Sequence, residues 1–395
     1  MDVSLVFTLS GMIIILGFLA NYLFRKTKIP DILILLLLGL LLGPTFHVVD
    51  PTSLISIAPL FANLALVILL FNGGLNLDLY KVFQQTPRAG LLAVTGILFS
   101  ISLVTLIMKL LLGWPLLDSL LLGAMIAGSS SSIVFPLIKE LKLNDNVSTM
   151  LGLESTFTDA ACIVLGITFI QLITLQFEGT ITSTMGEVAS AFSVGAILGL
   201  LMGLVWLKVL RFLKKEEYED ILTIAVALLL YVASENLNGN GSIAALMFGL
   251  ILGNSSRVKK IFKMRGARAV GKMMKRFHSE ISFLVRTFFF VYLGMIVSVT
   301  NLSYMLYGLL LSLSLLAGRI AAVGISVIGN PVLEKNKIRI ALMMPRGLAA
   351  AILSQLPLIY GIENSEVYPE IVFTVIISTV IISAVAAFLC GTKKK

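Results

Sequence analysis

The stretch Ala127-Gly128-Ser129-Ser130-Ser131-Ser132 places four adjacent hydroxyl side chains in the middle of an apolar run, residues 115–139. A second apolar run, residues 337–360, is interrupted by Met344-Pro345-Arg346-Gly347, where a proline and a glycine flank a charge. Proline removes a helix donor and glycine permits non-helical backbone, so both runs are predicted to be broken helices. Irregular backbone at membrane depth is tolerated only where protein or a water-filled cavity covers it. The two stretches therefore indicate a membrane protein built around paired interrupted helices.

Composition supports a membrane location. The chain is 58% hydrophobic and 13% charged, about half the charged share of ordinary soluble domains. Apolar runs of about 17 to 25 residues predict an all-α polytopic membrane protein with about thirteen transmembrane helices. The predicted spans lie near residues 5–24, 30–46, 54–76, 88–112, 115–139, 147–175, 186–212, 219–235, 240–254, 279–299, 303–328, 337–360 and 368–391.

Charge placement sets the expected orientation. Of the basic residues behind the net charge of +9, nine fall between Arg257 and Arg276 with no acidic residue among them. Basic connections alternate with base-free ones along the chain, and basic loops of membrane proteins are cytoplasmic. We therefore expect the N-terminus outside and the C-terminus inside, with membrane lipid and not nucleic acid as the partner of the basic loop. The chain has only two cysteines and two histidines, so we expect no resident metal or cofactor.

The fifth and twelfth spans are seven apart, so they cross the membrane in opposite directions. Interrupted helices of opposite sense are typical of secondary transporters with two inverted repeats, in which the substrate site lies where the breaks meet. The predicted repeats are spans one to six and eight to thirteen, with the broken helices crossing at the midplane and the seventh span as a linker.

Two carboxylates, Glu154 and Asp159, lie in the sixth span, and ionisable groups at membrane depth are usually functional. Positions five apart on a helix point about 140° apart, so these two acids do not share a face. Arg346 is the expected partner of Glu154 in a structural ion pair, because an unpaired buried charge would be costly. Asp159 then remains as the acid that exchanges a proton for a cation.

Sodium and lithium prefer oxygen ligands, and several lie close to Asp159 in the sequence. The predicted ion-binding residues from this reasoning are Asp159, which would bind Na⁺ directly, with Ser155, Thr158, Ser129 and Ser130. A hydrogen bond within its own helix is the alternative role for each serine. Arg286 and Arg319 are expected to have structural or lipid-facing roles. One acid exchanging one proton for one monovalent cation would be electroneutral.

Enzymatic and channel functions fit less well. The serine run lacks the Gly-x-Ser-Gly pattern of rhomboid proteases, no histidine lies at mid-membrane depth to act as a base, and only one aspartate is available. A plain channel would not need a titratable acid beside two broken helices. We therefore expect a transporter and not an enzyme.

These motifs resemble the monovalent cation/proton antiporter superfamily, in particular its NhaP-type sodium/proton antiporters of archaea and bacteria. The resemblance rests on Phe71-Asn72-Gly73-Gly74-Leu75, the broken fifth span, Glu154-Ser155-x-x-Thr158-Asp159, and Pro345-Arg346-Gly347. It implies exchange of Na⁺ or Li⁺ for H⁺ at a prokaryotic plasma membrane, by a homodimer that works by alternating access. It also implies that Asp159 binds cation and proton in turn, and that Asn72 belongs to the ion-binding set.

The same resemblance implies one antiporter unit over residues 1–395, with a transport core near 88–175 and 303–391 and a dimerisation scaffold near 1–87 and 186–299. Two sequence features leave the ion open. Thr158 stands where relatives commonly carry Asn or Asp, and Ser129-Ser130-Ser131 replaces a common Thr-Asp-Pro. A K⁺/H⁺ antiporter and a sodium-coupled symporter of an organic anion are the alternatives.

Overall fold

The computed structural model describes residues 3–27, 29–48, 58–77, 87–141, 143–175, 181–213, 218–263, 270–297 and 301–391. Within these ranges the chain is helical and contains no strand. The helices are Val3–Thr27, Asp31–Leu40 with a π-helical turn Leu41–Thr45, Ala58–Asn76, Pro87–Leu112, Leu116–Met125, Ser131–Leu141, Asp145–Leu175, Ile181–Phe212, Glu219–Asn236, Gly241–Gly253, Ser255–Ile261, Lys272–Ile296, Leu302–Val327, Pro331–Glu334, Lys337–Leu342, Leu348–Leu353, Leu356–Ile359 and Val367–Gly391.

The helices confirm the predicted all-α membrane fold. Each predicted span coincides with one helix or with a short series of helices. Seven of the described helices are long and apolar enough to cross a membrane by length and composition, and five shorter apolar segments accompany them. Side-chain caps mark several helix starts: Asn301, for example, accepts a hydrogen bond from the backbone N–H of Ser303. Such a cap satisfies a donor that the first helical turn leaves free.

Both predicted breaks are present. The fifth span consists of Leu116–Met125 and Ser131–Leu141, joined by residues 126–130 without regular structure. The twelfth consists of Lys337–Leu342 and Leu348–Leu353, joined by residues 343–347. In both, the first half-helix ends and the second begins inside a buried region, so their unpaired backbone groups need partners from elsewhere in the protein.

Contacts divide the chain into two compact units. The first comprises residues 1–59, 82–173 and 286–395. In it the eleventh span, Leu302–Val327, packs along the fourth, Pro87–Leu112, and along the thirteenth, Val367–Gly391. The thirteenth also contacts the second half of the fifth span and the second half of the twelfth, so continuous helices surround the two breaks.

The second unit comprises residues 60–81 and 174–285. Here the ninth span, Gly241–Gly253, packs between the seventh and eighth spans. It also lies against the third span, where a Cβ on Gly249 would approach the carbonyl oxygen of Phe71 within 2.1 Å. Only a glycine allows backbones to approach so closely, as is common between membrane helices.

The predicted division into a transport core and a scaffold concerns movement and stays a prediction, although the contact units place residues 1–59 with the core segments. The C-terminal lysines 393–395 and residues 264–269 of the basic loop lie outside the described residues. The orientation of the two termini likewise stays a prediction.

Candidate functional site

The two breaks meet each other. The backbone N–H of Ser130 donates to the carbonyl oxygen of Pro345 at 2.7 Å, which joins the fifth span to the twelfth. Contact is so close that a Cβ on Gly347 would lie 2.3 Å from Ser130 Oγ and 2.6 Å from Ser130 Cβ. The prediction that the broken helices cross is thus confirmed, and the glycine of the second motif is explained by the space that the crossing leaves.

Asp159, a residue of the sixth span, contacts the first residue of the second half-helix of the fifth span. Its Oδ2 accepts hydrogen bonds from the backbone N–H of Ser131 at 2.9 Å and from Ser131 Oγ at 2.6 Å. Ser131 is the first residue of its half-helix, and a helix N-terminus carries partial positive charge that favours an anion. The side chain of Asp159 is only partly buried. The carboxylate is therefore held by dipoles and by one hydroxyl, with no ion pair to a described residue.

Glu154, one and a half turns earlier, has a different environment. Its two oxygens accept from Arg319 Nη1 at 2.8 Å and from Arg319 Nη2 at 3.0 Å. Ser129 Oγ lies 2.8 and 2.9 Å from the same two oxygens and donates to them. The side chain of Glu154 is 2% exposed and that of Arg319 is 4% exposed. Glu154 is thus a fully bonded, neutralised charge.

The predicted ion pair between Glu154 and Arg346 is wrong, because Arg319 of the eleventh span is the partner. Arg319 Nη2 also donates to the carbonyl oxygen of Met343 at 3.1 Å, at the break of the twelfth span. A planar guanidinium suits this arrangement, since it can bind a carboxylate with two parallel bonds and still donate a third. One side chain thereby ties the sixth, eleventh and twelfth spans together.

Arg346 is 1% exposed and stands at the crossing itself. Its Nε has no hydrogen-bond partner among the described residues. Arg319, Glu154, Asp159 and Cys162 are its electrostatic neighbours. Arg346 therefore contributes a fixed positive charge near the carboxylate of Asp159 without closing an ion pair.

Hydroxyl groups of the thirteenth span satisfy the open backbone of the twelfth. Thr379 Oγ1 accepts from the N–H of Arg346 at 3.1 Å. Ser383, one turn further on, accepts from the N–H of Met344 at 3.3 Å and donates to the carbonyl oxygen of Leu342 at 3.0 Å. The two side chains take the place of the missing helix hydrogen bonds across the break.

The other predicted ion ligands, Thr158, Ser155 and Ser130, each make a different hydrogen bond. Thr158 Oγ1 accepts from the backbone N–H of Ser129 at 3.2 Å, beside Asp159 in the chain. Ser155 Oγ donates to the carbonyl oxygen of Gly152 at 3.2 Å, a bond within its own helix. Ser130 Oγ lies 3.0 Å from Ser132 Oγ. The role of each of these side chains in ion binding stays a prediction.

Asn72 belongs to the second unit. Its side-chain oxygen accepts from Asn76 Nδ2 at 3.0 Å, one turn along the third span. Its place in the ion-binding set also stays a prediction.

Sequence reasoning missed Ser131 and Arg319. A signal for Ser131 was available, because the first N–H group of a half-helix at a break lacks a helical acceptor and attracts a carboxylate. For Arg319 the signal was weaker. A membrane arginine needs a partner, but the linear sequence does not show to which side its helix turns it.

Comparison with known proteins agrees with the geometry. A family profile described as sodium/hydrogen exchanger, transmembrane, matches residues 12–390. The chain belongs to the sodium/hydrogen exchanger family. Membership makes it a multi-pass membrane antiporter that moves a cation against protons, and places it among transporters instead of enzymes.

Several members of the exchanger family are similar over most of the chain. Na⁺/H⁺ antiporter 1 of Methanocaldococcus jannaschii is 27% identical over 91% of this chain and 84% of its own length. The K⁺/H⁺ antiporter NhaP2 of Shewanella sp. strain ANA-3 is 26% identical over 90% of this chain and 61% of its own. The structure of the sodium proton antiporter MjNhaP1 from M. jannaschii at pH 8 superimposes with a TM-score of 0.82 at 25% identity, over 100% of this chain and 99% of that one.

Proposed function

We propose that this exchanger family member transports Na⁺ or Li⁺ against H⁺, one for one, with Asp159 binding the cation and the proton in turn. It would do so at the plasma membrane of a prokaryotic cell, as a homodimer with its N-terminus outside and its C-terminus inside. The transport core and the scaffold would be the segments that the sequence predicts, with alternating access at the crossing of the broken spans.

One observation carries the proposal: the two acids of the sixth span are in unequal environments. Glu154 is bonded by Arg319 and Ser129, whereas among the described residues Asp159 accepts from Ser131 alone. No hydrogen bond from another described residue reaches Oδ1 of Asp159. That oxygen is therefore available to a proton or to a small cation, while the Glu154 carboxylate has no comparable capacity.

The chemistry of the crossing suits a monovalent hard cation. Asp159 supplies one negative charge, and Ser131 Oγ supplies a neutral oxygen bonded to it. Thr158, the preceding residue in the chain, contacts Ser129 of the break through its hydroxyl. The link at residues 126–130 leaves carbonyl groups outside a regular helix, and such groups coordinate Na⁺ in other broken-helix transporters. On cation binding the Ser131 hydroxyl would turn its lone pair toward the ion. On protonation Asp159 would release the ion.

The choice of ion separates the two leading candidates. The M. jannaschii relative, which matches this chain over 84% of its own length, is named a Na⁺/H⁺ antiporter, and this supports sodium as the cation. The K⁺/H⁺ alternative is supported by the NhaP2 relatives, although this chain spans only 61% of the length of the first of them. A sodium-coupled symporter of an organic anion remains the third candidate.

The test is a cation screen in proteoliposomes that contain a pH-sensitive dye. We expect Na⁺ and Li⁺, added to one side, to dissipate an imposed pH gradient, and K⁺ to do so poorly. Dissipation by K⁺ alone would assign the K⁺/H⁺ function. Failure of all three cations would contradict antiport, and a response to Na⁺ that requires an organic anion would identify a symporter.

Asp159→Asn should abolish the response, because the amide keeps the shape of the side chain but carries no exchangeable charge. The matched control is Asp145→Asn, the same change at an exposed position in the first turn of the same helix. We expect normal exchange from the control, and equal melting temperatures for both variants. Wild-type exchange by Asp159→Asn would contradict the central role of this acid.

A further inference from the structure

The connection between the ninth and tenth spans combines positive charge with exposed apolar side chains. The short helix Ser255–Ile261 begins immediately after the ninth span ends at Gly253, and the tenth span begins at Lys272. The short helix and the first residues of the tenth span lie in the second unit, and the loop charges predict that this connection lies at the cytoplasmic face. Its position is therefore the boundary between membrane and water.

The fold of this connection brings its two ends together. Ser255 Oγ accepts a hydrogen bond from the backbone N–H of Val270 at 3.0 Å, and Ser255 itself is 2% exposed. The returning chain is thus fastened against the start of the short helix. Val270 therefore lies next to the first residue of the short helix.

Exposed side chains on this feature have two kinds of chemistry. Ile261 is 74% exposed, Phe262 50% and Met273 77%. Lys260 and Lys263 flank Ile261 and Phe262 in the chain and are also exposed. Interleaved large apolar and basic side chains at a membrane boundary are the pattern of interfacial segments, which insert apolar groups at the acyl boundary and place lysines among phosphates.

We propose that Lys260, Ile261, Phe262, Lys263 and Met273 form a docking surface for anionic phospholipid head groups of the cytoplasmic leaflet. Charge complementarity identifies the occupant, since phosphatidylglycerol-like lipids offer a negative head group and an apolar boundary at the same depth. A charge run that only sets membrane orientation needs no exposed isoleucine, phenylalanine or methionine within it. The interaction is independent of the ion that the protein transports.

A lipid titration tests the proposal. The purified protein in uncharged detergent is titrated with phosphatidylglycerol or phosphatidylcholine while its melting temperature is followed. We expect stabilisation by phosphatidylglycerol only. Each lysine near an anionic surface contributes roughly five-fold to binding, so K260Q/K263Q should need on the order of 10- to 30-fold more phosphatidylglycerol for half-maximal stabilisation. The matched control is K335Q/K337Q, which removes two exposed lysines from another basic connection and should respond as the wild type does.

A second variant tests the apolar half of the surface. I261S/F262S keeps the net charge and should also weaken the response to phosphatidylglycerol. If it does not, the surface is a charged patch alone and the proposal fails. Three other results would also overturn the proposal. These are an equal loss of lipid response in both lysine variants, equal stabilisation by phosphatidylcholine, and full stabilisation by inorganic phosphate. None of these readouts depends on ion exchange, so they stand whether or not the proposed transport is confirmed.

Discussion

The Glu154–Arg319 pair is the charged contact on which the integrity of the crossing depends. Arg319→Gln leaves a buried carboxylate without its cation, and loss of one partner of a buried pair costs about 3–5 kcal/mol. We therefore expect a large drop in the melting temperature of the purified protein. The double variant E154Q/R319Q should recover part of that loss, because it removes both charges together.

Two comparisons make this prediction specific. Arg276→Gln breaks an exposed pair with Glu280, whose side chains are 79% and 62% exposed, and should cost at most about 1 kcal/mol. E154Q/R346Q should show no recovery relative to its single variants. A higher melting temperature for E154Q/R346Q than for E154Q/R319Q would return the partner role to Arg346.

The contrast between Asp159 and Arg319 shows what the sequence provides at the scale of residues. Depth in the membrane follows from counting residues, and it marked both Glu154 and Asp159 as candidates. Asp159 has no ion pair to a described residue, as expected, although the predicted partner of Glu154 was the wrong arginine. Direction around a helix axis and the reach of a long side chain do not follow from counting. Arg319 was therefore expected only to have a structural or lipid-facing role, without a named partner, whereas its guanidinium extends to Glu154 and Met343.

At the scale of elements, the contact between the two breaks depends on the absence of a side chain at Gly347. Gly347→Ala would place a Cβ against Ser130 Oγ and Ser130 Cβ, so the two spans should separate locally and exchange should fall sharply. The obstructing atoms belong to the serine side chain. S130G/G347A should therefore restore part of the exchange rate measured in proteoliposomes.

The matched control for the glycine is Gly324→Ala on the eleventh span, where an added Cβ meets nothing within 4 Å. Its exchange rate should equal that of the wild type. If S130G/G347A is no better than Gly347→Ala, the defect arises from the backbone of the break and not from contact with Ser130.

The hydroxyl groups of the thirteenth span define a second prediction for the elements. Thr379→Val keeps the shape of the side chain but leaves the N–H of Arg346 without its acceptor, which costs about 1–3 kcal/mol. We expect a lower melting temperature and a changed apparent KM for the cation, with rescue by Thr379→Ser. Ser378→Ala removes a hydroxyl that bonds Ser312 and its own helix, and should leave the KM unchanged.

The sequence predicted where the helices break but not which side chains satisfy the open backbone. Proline, glycine and the run of serines marked where the helices break, because these residues alter backbone geometry directly. Which neighbour would satisfy the open backbone was not predictable, since threonine and serine in a membrane helix usually bond their own helix. Thr379 does so as well, through the carbonyl oxygen of Val375 at 2.6 Å.

For the whole molecule, hydropathy was sufficient to predict an all-α membrane fold, and the serine, proline and glycine interruptions were sufficient to predict the crossing. Every spanning segment must satisfy its backbone internally, so the sequence of a membrane protein records its elements more directly than that of a soluble protein. The division of the chain into two contact units was harder to predict from the sequence. Residues 1–59 fall by contact in the same unit as the segments that cross, and within that unit Asp31 of the second span pairs with Arg286 of the tenth at 2.9 Å.

Charge accounting over a complete transport cycle gives the last prediction. In the proposed cycle Glu154 stays balanced by Arg319, the charge of Arg346 is constant, and Asp159 carries either one proton or one cation, so both loaded states would have the same charge. Exchange should therefore not respond to membrane potential. If one net charge moved per cycle, 100 mV would change the driving force by about 2.3 kcal/mol, roughly a 50-fold change in equilibrium. The measurement is the rate of Na⁺-driven proton movement with the potential set by valinomycin and a K⁺ gradient, after the cation screen has excluded K⁺ exchange. The same K⁺ gradient without valinomycin is the control, and a difference between the two would show that the proposed one-for-one exchange is wrong.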